Sequence, residues 1–386
     1  MIVKLNDVVD RIKGNVDRFN TDLIYYVGGE HYESSRIAIY TPGLLDSEKG
    51  ATLGFKFHFP FQKGDVLFMA RNPHLRKAGM VMFDGICSDA SYILRTKDSS
   101  VLLQEYLALI VQCDRFWDFF EANKSGSVNY LMNWKELQNY EFDLPSMEEQ
   151  RKIADLAWAI ERTRVAYEGL IRATDELVKS QFIEMFGDVI TNQKSLPTAL
   201  IGDVAECYAG ATPSTKVSAY WENATIPWMS SGEVHNGRIT STEKKISQAG
   251  YDSCSTKMVP ANSVVIALAG QGKTRGTVAI TEIDLCTNQS LCCIIPNSSI
   301  ISDYLYYHLK LRYDEMRNLA GISEGRGGLN LKLIQGIRVL VPPQADQKSF
   351  ITFVRQTDKS KYNGYRTIIG LIDLISFISN ERSISQ

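Results

Sequence analysis

No apolar run in this 386-residue chain is long enough to cross a bilayer; the longest, such as Ser263 to Ala269, have the length of a strand. Met1 to Lys13 lack the basic-then-apolar order of a secretion signal, so the expected compartment is the cytoplasm, with no membrane partner. The seven cysteines are an odd count at irregular spacing, with Cys292 and Cys293 adjacent and no C-x-x-C pair to begin a zinc site. They read as free, mostly buried thiols. Five histidines, at positions 31, 58, 74, 235 and 308, form no H-x-x-x-H or H-E-x-x-H spacing. No G-x-S-x-G nucleophile elbow occurs either. No metal, cofactor or catalytic residue of the chain's own is therefore expected. A dominant charge is also missing, since 42 Lys and Arg against 44 Asp and Glu leave a net −2. The whole-chain balance thus gives no direct signal for a polyanionic partner. Either basic loops are segregated on one face, or another protein supplies most of the contacts to such a partner.

What is present is globular in composition, 44% hydrophobic and 22% charged, at a length that suits two domains. The informative feature is an internal repeat. Placing residue n beside n+197 sets Leu144-Pro145-Ser146-Met147-Glu148-Glu149-Gln150-Arg151 against Val341-Pro342-Pro343-Gln344-Ala345-Asp346-Gln347-Lys348. The same offset pairs Asn133 with Asn330, Leu137 with Ile334 and Phe142 with Val339. With one residue of slippage, Glu105-Tyr106-Leu107 meets Asp303-Tyr304-Leu305, and Gly64-Asp65-Val66 meets Asn262-Ser263-Val264. A period this long means a duplicated domain, because solenoid units are far shorter.

Each half opens with short apolar or alternating runs that read as strands. They are Asp65 to Ala70, Gly79 to Asp84 and Ser91 to Arg95, then Ser263 to Ala269, Gly276 to Thr281 and Ser290 to Ile295. One short helix is expected after each set, at Leu102 to Phe120 and Ile301 to Ala320. Each half then closes on a long helix. Ser146 with Glu149 forms a capping box after Pro145, and Gly187 stands where a C-terminal glycine cap would. Ile153, Ile160, Tyr167, Thr174 and Gln181 recur every seven residues, and Leu156, Thr163, Leu170 and Leu177 recur in a complementary column. Together they predict a coiled-coil seam. Carried forward by 197, the seam falls on Phe350, Phe353, Thr357, Ser360, Gly364, Thr367, Leu371, Leu374 and Ile378. The expected fold is α+β: two mixed α/β domains, 1–143 and 189–341, related by the repeat. Two long antiparallel coiled-coil helices, 144–188 and 342–386, join them.

Candidate contact residues sit in the loops between strands. Gly270-Gln271-Gly272-Lys273-Thr274 looks like the end of a phosphate-binding loop, but position 267 is Ala, and Arg275-Gly276 lead into a strand instead of a helix. Gln271, Lys273, Thr274 and Arg275 still offer donors to phosphates or base edges. The aligned segment of the first half carries Arg71, Asn72, His74, Arg76 and Lys77. Taken singly, either loop could be an ordinary charged hairpin. A third loop, after Ile226-Pro227-Trp228, carries Ser230, Ser231, Glu233, Asn236 and Arg238. A fourth, Ser323 to Gly328, contributes Arg326 and has Asn123 to Ser127 as its counterpart. Asn72-Pro73-His74 lacks the second proline and the aromatic of the amino-methyltransferase motif, and Glu243-Lys244-Lys245 is too short a match to a nuclease fragment.

Taken in order, several features resemble the specificity subunits of type I restriction-modification systems over nearly the whole chain. They are Leu-Pro-x-x-x-Glu-Gln-Arg-Lys-Ile at 144 to 153, with the helix ending Phe182-x-x-Met185-Phe186-Gly187, and Ile201-Gly202-Asp203-Val204 with Gly210-x-Thr212-Pro213-Ser214. Tyr220-Trp221, Ile226-Pro227-Trp228, Gly270 to Gly276, Asn288-Gln289 and Gly327-Gly328-Leu329-Asn330 before Val341-Pro342-Pro343 complete the series. Residues 1–60 depart from it, lacking the Gly-Asp-Val and Thr-Pro-Ser opening. The resemblance implies two target recognition domains, each reading one part of a bipartite, asymmetric double-stranded DNA site in the major groove. It implies helices that act as a ruler and dock two methyltransferase (modification) subunits, with restriction subunits joining the full complex. Methyl transfer and cleavage would belong to those partners. An interaction scaffold binding only protein, or an enzyme with an unrecognised site, are the other classes, and neither has a positive motif.

Overall fold

The computed structural model describes residues 1–34, 36–45, 53–72, 75–125, 130–270, 272–319 and 328–380. It contains two compact units, residues 1–171 with 362–386, and residues 172–361. Each unit therefore takes a recognition-type domain together with parts of both long helices.

In the first unit a five-stranded sheet runs in the order Val9–Ile12, Ser91–Thr96, Val66–Met69, Ala78–Val81 and Ala38–Ile39. Alternation along a strand sends successive side chains to opposite faces. Val66 and Phe68 accordingly face the helices Gln104–Ile110 and Asp114–Asn123, in a core with Leu107, Phe116, Trp117 and Phe120. Leu67 faces the other way, toward a smaller sheet built from Gly43–Leu44, Tyr25–Val27, Gly85–Ser88 and Phe57–Phe61. With both faces covered, the strand is apolar throughout.

The second unit repeats the larger sheet strand for strand, while its smaller sheet has three strands, Lys244–Ile246, Ile226–Met229 and Cys286–Thr287, in place of four. Its five-stranded sheet has the order Ala205–Ala209, Leu291–Pro296, Val264–Ala267, Val278–Thr281 and Arg238–Ile239. Val264 and Ile266 face Tyr304, Leu305 and Leu309 on the helix Ser302–Lys310, while Val265 and Ala267 face the smaller sheet. Residues 1–60 lack the Gly-Asp-Val and Thr-Pro-Ser opening, yet they form the short helix that Gly202-Asp203-Val204 makes in the second unit. Leu5–Val8 makes the same one-turn helix as Ile201–Val204, with the Asp7 carboxylate accepting the Lys4 N–H at 3.0 Å as Asp203 accepts that of Leu200 at 3.3 Å. Asn6 simply replaces Gly202.

The single helix expected in each half is two. The first breaks around Gln112, whose amide donates to the carbonyls of Arg36 and Ala78 at 2.7 and 2.6 Å. The second breaks at Leu311–Arg312, where the Arg312 guanidinium holds Glu315 at 2.6 Å and the Arg338 carbonyl. No glycine or proline marks either break, because a tertiary hydrogen bond turns the chain.

The long helices span Met147–Phe186 and Gln344–Asn380. The Ser146–Glu149 box closes the start of the first, the Ser146 hydroxyl accepting the Glu149 N–H at 3.3 Å, and Gly187 ends it at φ +76°. Within each unit their segments run antiparallel. Gly364 lies against Ile171 and Tyr167 in the first unit, where Leu371, Ile375 and Ile378 pack with Ile153; in the second, Lys361 pairs with Asp175 at 2.5 Å and Phe350 meets Phe182.

One expected column of the seam lies one residue away. Ile160 is buried, but Leu156, Leu170 and Leu177 are 51, 53 and 51% exposed; the buried positions are Ala157, Arg164, Ile171 and Val178. The C-terminal helix shows the same displacement, burying Val354, Ile368 and Ile375 while Leu374 is exposed. Alternate steps of four and three from Ile153 generate the observed seam, and the leucines form a separate stripe beside it.

Two polar locks fasten each helix to its own domain. Gln150 is fully buried, accepts the Leu103 N–H at 3.0 Å and donates to the carbonyls of Val101 and Pro145. Gln347, 197 residues later, accepts the Ile301 N–H at 2.8 Å and donates to Ser299 and Pro342. Burying an amide is tolerated because every strong hydrogen-bonding atom is matched. The second lock is an arginine. Arg36 reaches the fully buried Glu161 at 3.0 Å, and also Glu33 and Glu168. Arg238 reaches Asp358, the residue 197 beyond Glu161, at 3.5 Å.

Candidate nucleic-acid interface

In the second unit the strand Ile226–Met229 delivers the chain into a 3₁₀ turn, Ser231–Asn236. Beside it lies the loop between Val264–Ala267 and Val278–Thr281, joined to the turn by a contact of 3.1 Å between His235 Nε2 and the Thr274 hydroxyl. Gly270, Gly272 and Gly276 all have positive φ, at +138°, +65° and +83°. These glycines serve a backbone path that side chains resist, not a phosphate cradle. The loop's carbonyls turn inward. That of Lys273 accepts from the hydroxyls of Thr277 at 2.7 Å and Tyr313 at 2.9 Å, and that of Gly272 accepts from Arg317. Held this way, the loop presents the Lys273 side chain to solvent, with Thr274 and Arg275 half-buried. Gln271 and Arg326 lie outside the described residues.

Of the turn residues, Asn236 is exposed and Ser230 and Ser231 are half-buried. Two others are turned to internal use. Glu233 is buried, and its carboxylate accepts the N–H groups of Ser230 at 2.6 Å and Glu243 at 2.9 Å, bracing the turn from below. Arg238 is held by Asp303 at 2.7 Å, Glu282 at 3.2 Å and Asp358 at 3.5 Å. Both were expected to face bases. Their partners lie on strands and helices distant in sequence, which draws them into the domain.

The first unit has the same pair of loops. A 3₁₀ turn, Gly29–His31, follows the strand Tyr25–Val27, and the Gly28 N–H donates to His31 Nδ1 at 2.8 Å. Lys77, from the loop between Val66–Met69 and Ala78–Val81, donates to the Gly29 carbonyl at 2.6 Å, so this loop too is tied to its turn. Arg71 is exposed and bridged to Leu131; Asn72 and Arg76 have φ of +57° and +43°. Arg76 pairs with Asp114, but both are about half exposed, and such a pair holds the side chain only weakly. His74 lies outside the described residues. The turn at 29–31 was not singled out from sequence. The repeat offset of 197 carries 231–236 back only to 34–39, so the repeat by itself does not locate this turn.

No group of three or more His, Cys, Asp or Glu among the described residues is placed to hold a metal ion. No helix among them is long and apolar enough to cross a membrane.

A family model for the type I restriction modification DNA specificity domain matches residues 1–165 and 198–364. The specificity subunit of the type I restriction enzyme EcoR124I/EcoR124II from Escherichia coli is 25% identical over 160 residues, which cover 41% of this chain and 40% of that one. The MjaIX specificity subunit of Methanocaldococcus jannaschii is 29% identical over 163 residues, covering 41% of this chain and 37% of that one. The alignments thus span about two fifths of these curated relatives. The type I restriction-modification S subunit from M. genitalium shares the fold with a TM-score of 0.57 at 13% identity, over 98% of this chain and 95% of the other. A chain from a study of type I R-M complex assembly and conformational transition gives 0.56 at 19%, over 98% and 96%. With the match falling on both halves and one topology repeated in each, this chain belongs to the type I restriction modification DNA specificity domain family.

Proposed function

We propose that this chain is the DNA-reading subunit of a type I restriction-modification complex, acting in the cytoplasm without a catalytic site or cofactor of its own. Each domain reads one half of a bipartite, asymmetric duplex site. The observation that carries this reading is the paired turn and loop found beside both copies of one sheet, tied by His235 and Thr274 in the second unit and by Lys77 and the Gly29 carbonyl in the first. Two similar surfaces that differ in side chains suit two different half-sites, as in dimeric DNA readers. In the first domain we assign the duplex contacts to Arg71, Asn72, His74 and Arg76, with Lys77 bracing the loop against its turn. In the second we assign them to Ser230, Ser231, Asn236, Gln271, Lys273, Thr274, Arg275 and Arg326.

The long helices set the unread spacer and dock two methyltransferase subunits, with restriction subunits joining the larger assembly. The exposed Leu156 and Leu170 of the first unit, and Leu177 and Ile183 of the second, support such docking. Solvent-exposed leucines at helical spacing are costly unless a partner covers them. Partner subunits also supply phosphate contacts that a chain of net charge −2 lacks.

The test is methylome sequencing of a host free of DNA methylation that expresses this chain with its neighbouring methyltransferase subunit. A single bipartite motif with a fixed spacer, lost when this chain is omitted, is the expected result. No methylation from a demonstrably assembled complex overturns the reading in favour of a protein-binding scaffold.

A further inference from the structure

Behind the two loops of the second unit lies a cleft of about 330 Å³, lined by His235, Gly237, Thr277, Tyr306, Lys310 and Tyr313 among others. Tyr306 is 5% exposed, yet its hydroxyl has no hydrogen-bond partner among the described residues. That hydroxyl sits at the cleft wall beside Gly237, where a Cβ would stand only 3.2 Å from it. A hydroxyl with no protein partner at the wall of an open cleft is free to donate to a bound ligand. Burial also pushes its pKa up to about 12, so the proton stays in place to be donated.

The other polar groups around the cleft are mostly committed. The hydroxyls of Thr277 and Tyr313 donate to the Lys273 carbonyl. Arg238 is bound by Glu282, Asp303 and Asp358, and Lys361 by Asp175 and Asp358. Lys310 is the exception. It has only a long contact of 3.9 Å, to an Asp175 already held by Lys361 at 2.5 Å. Its ammonium lies 5.9 Å from the Tyr306 ring centre. A tetrahedral anion between the two can accept from both.

The first unit fills the equivalent space with its own side chain. The helix offset of 198 that pairs Leu107 with Leu305 places Ala108 at Tyr306 and Gln112 at Lys310. There the Gln112 amide crosses the gap to the carbonyls of Arg36 and Ala78, and no hydroxyl is left over.

We infer that this cleft seats one backbone phosphate of the half-site read by the second domain, with the Tyr306 hydroxyl and the Lys310 ammonium as donors. The inference rests on the DNA-reading role proposed above. Contacts of this kind fix register on the duplex without reading sequence. Charge-assisted hydrogen bonds are also the stronger class.

The experiment measures binding of the assembled complex of full chain and methyltransferase subunits to its mapped target duplex across a salt series, with Tyr306→Phe and Lys310→Gln. Each variant is expected to bind roughly tenfold more weakly at fixed salt, with sequence preference unchanged. Lys310→Gln should also lower the slope of log K against log salt by about 0.9. A scan with single neutral methylphosphonate linkages should find one position in the second half-site that weakens the wild type but adds nothing to either variant. Thermal melting of Tyr306→Phe should match the wild type, since the lost hydroxyl had no partner. Wild-type affinity and slope in both variants, or linkage effects that simply add at every position, overturn the phosphate seat while leaving the reading role standing. A wild-type complex with no sequence-specific binding overturns both.

Discussion

Replacing Arg36 with methionine would remove the cation that is paired directly with the Glu161 carboxylate. Glu161 is fully buried, and burial pushes its pKa up while Arg36 and then Arg164 pull it down. Arg36 is itself 6% exposed and takes Glu161 at 3.0 Å. Breaking one side of a buried pair costs about 3–5 kcal/mol, because the remaining charge is left desolvated. The companion contact to Glu33, a half-exposed side chain, adds little. Against a domain stability of roughly 5–15 kcal/mol the loss is large. It should appear as a fall of roughly 10 °C in the melting of the first unit. Hydrogen exchange resolves the site of the effect. Amides of Val66–Met69 and Ala78–Val81 should lose protection while Val264–Ala267 and Val278–Thr281 keep theirs. The double variant Arg36→Met/Glu161→Gln should recover much of the loss, since it buries no net charge. The pH dependence follows from the raised pKa. Without Arg36, Glu161 titrates still higher in the folded state than unfolded, so the folded form holds the extra proton. The variant's deficit should then shrink as pH falls, being smaller at about pH 5 than at about pH 8. A single variant within about 1 kcal/mol of wild type, or a double variant no better than the single, would refute the reasoning.

His308 gives a second pH signature. Burial first, and then Arg312, lower its pKa to about 3, while Nε2 accepts the Leu340 N–H at 3.1 Å. A depressed folded pKa means stability present above the ordinary value of 6.5 and lost progressively as pH falls toward 3. Urea unfolding of the second unit should weaken by up to about 1.4 kcal/mol per pH unit across that window, and His308→Gln should flatten the slope. The seam assignment separates neighbours. Ile171→Ala should cost about 2–5 kcal/mol by leaving a cavity, whereas Leu170→Ala should stay within about 0.5 kcal/mol; equal effects in chemical denaturation would count against the seam described above. Leu156→Glu with Leu170→Glu should leave melting of the chain unchanged but abolish co-purification of methyltransferase subunits. Gly370, with open space around its Cα, should accept alanine with a gain of up to about 1 kcal/mol in helix stability, read from the melting midpoint.

The parts of this molecule that were legible in sequence are those governed by local pattern. The repeat offset placed Gln150 opposite Gln347, and both turn out to lock a helix start in the same way. The cap at Ser146 and the stop at Gly187 were local chemistry, and the alternation in Val66–Met69 and Val264–Ala267 followed from sheets covered on both faces. What sequence could not show depends on partners far along the chain. Arg36 and Glu161 are 125 residues apart, and Arg238 reads as a free base contact until Asp303 and Asp358 are brought to it. The displaced seam has a different cause. The buried column contains Arg164, and its counterpart in the C-terminal helix contains Lys361, whereas the column beside it is leucine at three of four positions. Pattern alone favours the leucines. In the folded chain Arg164 is absorbed by Glu168, Lys361 by Asp175, and the leucines stay outside. A helix that spends charged residues on its internal seam while keeping leucines in solvent is not optimised for the isolated chain. The arrangement makes sense when the leucines have their own partner, and that requirement is written in the sequence even where it misleads a reading of the fold.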